Sequence, residues 1–324
     1  MNITITFIIF AFLFTTEILY FKIADKFNII DRPNHRSSHN GLIIRGGGII
    51  FTISLLLYPL YFGMLYNSFL LGLVFIAFIS FLDDIKPVSS TIRIVFHLVA
   101  VALLFYQLGL YSLPYYWTVF ALIFVIGSIN AINFMDGING LTGGYALVTL
   151  CSLLYVNYEV TLFTNSNFLI TSIISVLVFN FFNFRNNARC FAGDVGSIGM
   201  AFIILFFILQ LIIKTENFNF LFFLLLYGLD TATTIVFRLL RKENIFEAHR
   251  SHLYQYLVNE KKMSHLLVSS IYICVQLIIN LIIILFFSNS LFILVSSLIF
   301  STMIFVIVRF SIEGPSKLLG GNLI

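Results

Sequence analysis

Eleven apolar stretches, each about as long as a bilayer is thick, run through this sequence at approximately residues 2–21, 47–63, 67–82, 92–109, 115–132, 141–157, 167–184, 196–213, 218–237, 266–287 and 290–309. A helix needs on the order of 20 mostly apolar residues to cross about 30 Å of hydrocarbon, because each residue advances the chain by about 1.5 Å. Lipid offers no hydrogen bonds, so a spanning backbone must satisfy itself, and packed helices are the expected outcome. Composition agrees, with 60% apolar and 10% charged residues where a soluble domain carries roughly a quarter charged. Disordered, collagenous and nucleic-acid-binding chains are excluded by the same numbers. The expected fold is all-α, a polytopic transmembrane bundle of ten or eleven spans forming a single domain over residues 1–324. The first stretch has no basic n-region and no small-residue cleavage site, and is read as a retained span.

Cation placement orients the bundle, since short cytoplasmic loops are enriched in Lys and Arg. With the N-terminus outside, alternate loops collect Lys22, Lys26, Arg32, Arg36 and Arg45, then Lys86 and Arg93, then Arg185 and Arg189, then Arg238, Arg241, Lys242, Arg250, Lys261 and Lys262, with Arg309 and Lys317 in the tail. Lys214 alone falls on the other side. All six histidines and most carboxylates lie at or near the basic face, so the cleft and its chemistry are expected to face the cytoplasm. Cys151, Cys190 and Cys274 are too widely spaced for a disulfide framework or zinc site and read as packing residues.

Five polar segments on that face carry the candidate chemistry. Asp83-Asp84 ends the third stretch, where an adjacent carboxylate pair suits a divalent cation or proton abstraction. The segment from Asn130 through Asn133, Asp136, Gly137 and Asn139 to Gly144 offers amides, oxygens and a close-approach backbone. Phe191, Gly193-Asp194 and Gly196-Ser197 follow the seventh stretch, placing a carboxylate between glycines and an aromatic ring three residues earlier. Two basic loops complete the set: Asp31-Arg32-Pro33-Asn34 with Arg45-Gly46-Gly47, and His249-Arg250-Ser251-His252. Arginine and histidine facing a cation-bound carboxylate cluster can clamp a diphosphate. Either basic loop could instead attract anionic lipid. Phosphate-loop, serine-elbow and zinc-protease motifs are absent from the sequence.

In this order the motifs resemble the polyprenyl-phosphate N-acetylhexosamine-1-phosphate transferases of glycosyltransferase family 4, which include the phospho-MurNAc-pentapeptide transferase and the GlcNAc-1-phosphate transferases. The resemblance implies transfer of an N-acetylhexosamine 1-phosphate from a UDP-sugar to undecaprenyl phosphate, releasing UMP, in the bacterial cytoplasmic (inner) membrane. It implies Mg²⁺, with Mn²⁺ as a substitute, at Asp194 and Asn133. Asp83, Asp84, Asp194 and Arg93 are the implied catalytic residues. Asn133, Asp136, Asn139, Phe191, Arg45, His249, Arg250 and His252 are the implied substrate contacts, with Phe191 stacking on uracil and Asn139 bonding the base. Tyr254 and Gln255 stand where other branches carry His. That departure resembles enzymes initiating O-antigen or capsule glycans, whose donors include modified or 6-deoxy HexNAc. Expected partners are the UDP-sugar, undecaprenyl phosphate and membrane lipids, with no nucleic acid and with a homodimer as an assembly to test. The alternatives are the peptidoglycan transferase and, from another class, a proton-coupled secondary transporter using Glu17 or Asp230.

Overall fold

The computed structural model describes residues 1–31, 41–245, 247, 249–286 and 288–320. The expected motif residues Arg32, Pro33 and Asn34 lie outside the described residues. Every apolar stretch forms helix: α1 Ile3–Lys26, α2 Ile49–Phe62, α3 Asn67–Ile85, α4 Ser90–Leu108, α5 Tyr115–Met135, α6 Leu141–Tyr155, α7 Ser166–Asn183, α8 Gly193–Thr215, α9 Leu225–Leu240, α11 His265–Phe286 and α12 Leu291–Glu313. Between the long helices lie the short α10 Leu253–Asn259 and, at the end, α13 Pro315–Leu319. Among the described residues nine helical segments are long and apolar enough to cross a membrane, and Ile49–Phe62 is a shorter apolar helix. The protein is thus an all-α polytopic membrane bundle.

Three of the boundaries that differ from the sequence expectation bear on the site, and two of them move functional side chains onto helices. α3 runs on to Ile85, so Asp83 and Asp84 occupy its last turn; α8 begins at Gly193, so Asp194 sits in its first. α2 starts late because Gly46–Gly48 turns against the loop before α8, Gly47 N donating to Phe191 O at 2.9 Å and Gly48 N to Ala192 O at 3.1 Å. Gly46 takes φ +80°, a region open to glycine. A two-stranded antiparallel ribbon, β1 Ile30–Asp31 with β2 Ile43–Ile44, precedes this turn and was not legible in the sequence.

α8 is the hub, with 89% of its most apolar window buried, and it packs against α2, α3, α5 and α6. Lipid is as apolar as leucine, so close packing rather than water exclusion must hold the helices together. Two devices supply it. Phe69 of α3 stacks on Phe202 and Phe206 of α8, at centroid distances of 5.4 and 4.0 Å. Gly196 of α8 meets Gly48 at the head of α2 so closely that a Cβ at Gly196 would stand 2.6 Å from the Gly48 Cα.

The loops segregate to two ends. At one, Asp84 meets Asp194, Asn139 meets Arg185, Tyr254 meets Phe134 and Arg241 meets Leu318. At the other, Tyr66 meets Thr164, Ser68 meets Gln107, Trp117 stacks on Phe218 and Asn219 reaches Ser288. This alternation is the up-and-down threading that the cation pattern requires, and the candidate site lies wholly at the cation-rich end.

Candidate active site

Adjacent residues on a helix point about 100° apart, so Asp83 and Asp84 reach different partners. Asp83 joins α3 to α4: its Oδ1 accepts from Val88 N at 2.6 Å, and its Oδ2 from Arg93 Nη1 at 2.8 Å. Asp84 is buried against the N-terminus of α8, where Asp194 N and Val195 N donate to its two oxygens at 2.9 and 3.0 Å. Unpaired amides and the helix dipole make that terminus a natural seat for a carboxylate. Gly193, at φ +70°, permits the approach, since a Cβ there would stand 2.5 Å from Asp84 Oδ2.

Arg45 and Arg93 bind the three carboxylates into one cluster. Arg45 Nε is 2.8 Å from Asp84 Oδ1 and its Nη2 is 3.6 Å from Asp194 Oδ1; Arg93 Nη1 is 3.5 Å from Asp194 Oδ2. Burial pulls the Arg45 pKa down, but Asp84 and Asp194 outweigh it and raise it, so Arg45 stays charged. Its position is fixed by backbone: Arg45 N donates to Ile29 O at 3.1 Å and Tyr20 Oη donates to Arg45 O at 2.6 Å. Three carboxylates against two guanidiniums leave a net negative site, partly open at Asp83, Asp194 and both arginines and closed at Asp84.

Asn133 and Asp136 enter from the end of α5. Ser197, one turn beyond Asp194 on the same face of α8, donates to Asn133 Oδ1 at 2.6 Å. This link was not anticipated, although the spacing Asp194 to Ser197 is the i, i+3 signal for it. Asp136 Oδ1 accepts from Thr142 Oγ1 at 2.7 Å. Burial pushes the Asp136 carboxyl up to about 6, against the lowering effect of that hydrogen bond. Asn139 is buried, its side-chain amide donating to Arg185 O and Asn186 O at 2.9 and 3.0 Å while its backbone carbonyl accepts from Ser269 Oγ at 2.7 Å. In this arrangement Asn139 braces the loop after α7. Phe191 is half-buried, and its backbone bonds both to Ile44 O and to Gly47 N, which sets its backbone beside the Arg45 turn.

The late loop docks on this group from α9. Tyr254 Oη donates to Phe134 O at 3.0 Å, next to Asn133, and the rings of His249 and His252 each lie 6.4 Å from Phe134. Burial, followed by the neighbouring His252 and Arg238, lowers the His249 pKa to about 4, so its imidazole is neutral at pH 7. His252 is buried with Nδ1 3.4 Å from Asp230 Oδ1, and Arg250 is half-buried. Asp230 also accepts from Leu253 N at 3.0 Å and Tyr272 Oη at 2.6 Å, whereas Arg238 turns to Glu243 at 3.0 Å. Tyr254 is buried and Gln255 caps α10, so both side chains serve to hold the loop. Glu17 is buried in α1 with Oε1 3.7 Å from the Cys190 Sγ.

A hard divalent cation suits the oxygens present. The Asp194 oxygens make long ion pairs to Arg45 and Arg93 and a side-chain hydrogen bond with Asp83, and the Asn133 carbonyl accepts from Ser197, one turn along α8. No group of three His, Cys, Asp or Glu side chains converges as a metal cage among the described residues. Mg²⁺ is commonly held by one or two carboxylates together with water and substrate phosphates, so the donor set fits that ion, with Asp194 and Asn133 as the residues to hold it.

Comparison with known proteins bears on this arrangement. The family model described as Glycosyl transferase family 4 matches residues 66–212, which include Asp83, Asp84, Arg93, Asn133, Asp136, Phe191 and Asp194. The undecaprenyl-phosphate alpha-N-acetylglucosaminyl 1-phosphate transferase of Escherichia coli K12 is 32% identical over 230 residues, 63% of this chain and 61% of that protein. The probable undecaprenyl-phosphate N-acetylglucosaminyl 1-phosphate transferase of Bacillus subtilis 168 is 27% identical over 263 residues, 73% of this chain and 72% of that protein. The corresponding Yersinia pestis protein is 30% identical over 227 residues, 63% of this chain and 61% of that protein. The match therefore spans 61% of the length of the Escherichia coli relative. Over residues 66–212 the chain is thus similar to glycosyl transferase family 4.

Proposed function

We propose that the protein transfers an N-acetylhexosamine 1-phosphate from a UDP-sugar to undecaprenyl phosphate, releasing UMP, and so starts a lipid-linked cell-envelope glycan. The observation that carries this reading is the cluster of Asp83, Asp84 and Asp194 with Arg45 and Arg93 at one end of a membrane bundle. A lipid phosphate and a sugar nucleotide can both reach such a place. The relatives' names favour UDP-GlcNAc as the first donor to test and favour this reaction over phospho-MurNAc-pentapeptide transfer. The late loop leaves a modified or 6-deoxy HexNAc, and an O-antigen or capsule pathway, as the refinements to examine.

In the proposed reaction a lipid phosphate oxygen forms a bond to the donor's β-phosphorus, and the bond from that phosphorus to the oxygen bridging to the α-phosphate breaks as UMP leaves. Bound Mg²⁺, or Mn²⁺ in its place, supplies charge neutralisation on the diphosphate. Arg93, held against Asp83, presents its remaining donors to phosphate, and a planar guanidinium grips two oxygens at once. Asp83 keeps the acceptor phosphate deprotonated. Asp84 holds the α8 terminus and Arg45 in register. Phe191 offers a ring face to uracil, and Asp136 and the His249–His252 loop close around the donor.

The test is UMP release by purified protein in lipid nanodiscs, with undecaprenyl phosphate and a panel of UDP-HexNAc donors. Donor-dependent UMP release matched by sugar-diphosphate lipid supports the proposal. Absence of product with every donor, in folded protein supplied with Mg²⁺, refutes it.

A further inference from the structure

α12 is the most peripheral of the long helices, with 6% of its most apolar window buried, and Phe292, Ile299, Phe300 and Met303 lie exposed along it. A helix set in lipid in this way needs no ion, and burying one is costly unless it is paired and fully hydrogen-bonded. Arg309 is nevertheless 1% exposed. Its charge is matched one turn on by Glu313, Nε to Oε1 at 2.6 Å and Nη2 to Oε2 at 3.2 Å. The rest of the fork is spent off the helix: Nη1 donates to Thr233 and Thr234 of α9 at 3.0 and 2.8 Å, and Nη2 to the Ser251 carbonyl at 2.9 Å. The guanidinium also lies 5.1 Å from the centroid of the Phe237 ring.

Ser251 stands between Arg250 and His252. Immediately downstream, Asp230 takes the amides of Leu253 and Tyr254, at 3.0 and 3.4 Å. The backbone from 251 to 254 is therefore gripped at a carbonyl by Arg309 of α12, with Thr234 of α9 donating more weakly to the same carbonyl at 3.4 Å, and at two amides by Asp230 of α9. An ion pair that served only to fasten α12 would need Glu313 and the threonines, and would gain nothing specific from reaching a loop carbonyl.

We infer that Arg309 is a positioning residue, holding the His249–His252 loop through the Ser251 carbonyl in the conformation that receives the sugar nucleotide. The donor's identity rests on the proposed function; the grip on the loop does not. Arg309 lies outside the segment matched by the family model, 66–212, so this device belongs to the part of the chain that the match leaves undescribed.

The experiment compares full-length wild type with Arg309→Lys and Arg309→Met in nanodiscs. Lysine retains a charge for Glu313 but lacks the fork that reaches Ser251, so it tests the grip even where methionine prevents folding. Amide exchange is measured without substrate, followed by KM for UDP-GlcNAc and for undecaprenyl phosphate. In Arg309→Lys, exchange over residues 249–255 should quicken about tenfold, as expected for loss of a charged hydrogen bond, with α8 unchanged. Donor KM should rise about tenfold, while acceptor KM and kcat stay within about twofold. Unchanged exchange over 249–255 overturns the inference. Faster exchange with donor and acceptor KM rising together also overturns it and makes Arg309 a general anchor. Faster exchange in a protein whose wild type turns over no UDP-sugar supports the grip and refutes the proposed reaction instead.

Discussion

Asp84 and Asp194 carry the same carboxylate and are held in opposite ways, so they should fail differently. Asp84 has two backbone amides and Arg45 on its oxygens, whereas Asp194 has no backbone amide among its described partners, only the Asp83 carboxyl and ion pairs of 3.5 and 3.6 Å. Asp194→Asn should lower kcat by on the order of 10² to 10³, about 2.7–4 kcal/mol, with little change in unfolding temperature. Full turnover of wild type in EDTA would end the metal assignment. Phe191→Ala should raise donor KM more than it lowers kcat, at roughly 1–3 kcal/mol, because stacking holds ground and transition states alike; an unchanged KM would make the ring a packing residue. Two groups give opposite pH responses. His249, lowered from 6.5 to about 4, binds fewer protons folded than unfolded, so its contribution to stability is lost as pH falls from about 6.5 to 4. Asp136, raised from 3.8 to about 6, binds more protons folded, so its contribution is lost as pH rises from about 4 to 6. Unfolding temperatures at pH 4.5 and 7 should therefore show a gain for His249→Gln over wild type only at the lower pH. Asp136→Asn should gain more at the higher pH than at the lower.

Among the elements, the junction of α2 and α8 places Arg45 beside Asp194, and it depends on two glycines in contact. Gly196→Ala puts a methyl group 2.6 Å from the Gly48 Cα, and neither helix has a side chain there that can move aside. The helices must part, at a cost of about 1–3 kcal/mol for overpacking. The unfolding midpoint in detergent should fall, and kcat should fall with it because Arg45 moves away from Asp84. A variant with wild-type midpoint and rate would show that this contact is not needed. The helices themselves were legible from hydropathy, since each apolar stretch forms one. Their ends were not, because Ile85 and Gly193 end and begin helices through Asp84 on the α8 amides, a contact between residues 110 apart in sequence.

Over the whole molecule, the loops collect at two ends as the Lys and Arg pattern demands, which makes orientation testable. Ser316→Cys, exposed in α13, should be labelled by a membrane-impermeant thiol reagent only from the cytoplasmic side, and Asn289→Cys only from the opposite side. Reversed labelling would turn the site away from the cytoplasm. The sequence by itself determined the membrane class, the alternation of faces and the candidate residues Asp83, Asp84, Arg93, Asn133 and Asp194, because hydropathy, charge placement and short motifs are local and survive without a fold. Only the tertiary structure decided what each residue does within that set. It divided two adjacent carboxylates between α4 and α8, turned Asn139 into a brace for the next loop, and brought Arg309 from the last long helix onto the Ser251 carbonyl. Those roles depend on which polar atoms meet when α8 is surrounded. In a medium with no water to satisfy them, the partner that packing delivers, rather than the residue type, fixes the role.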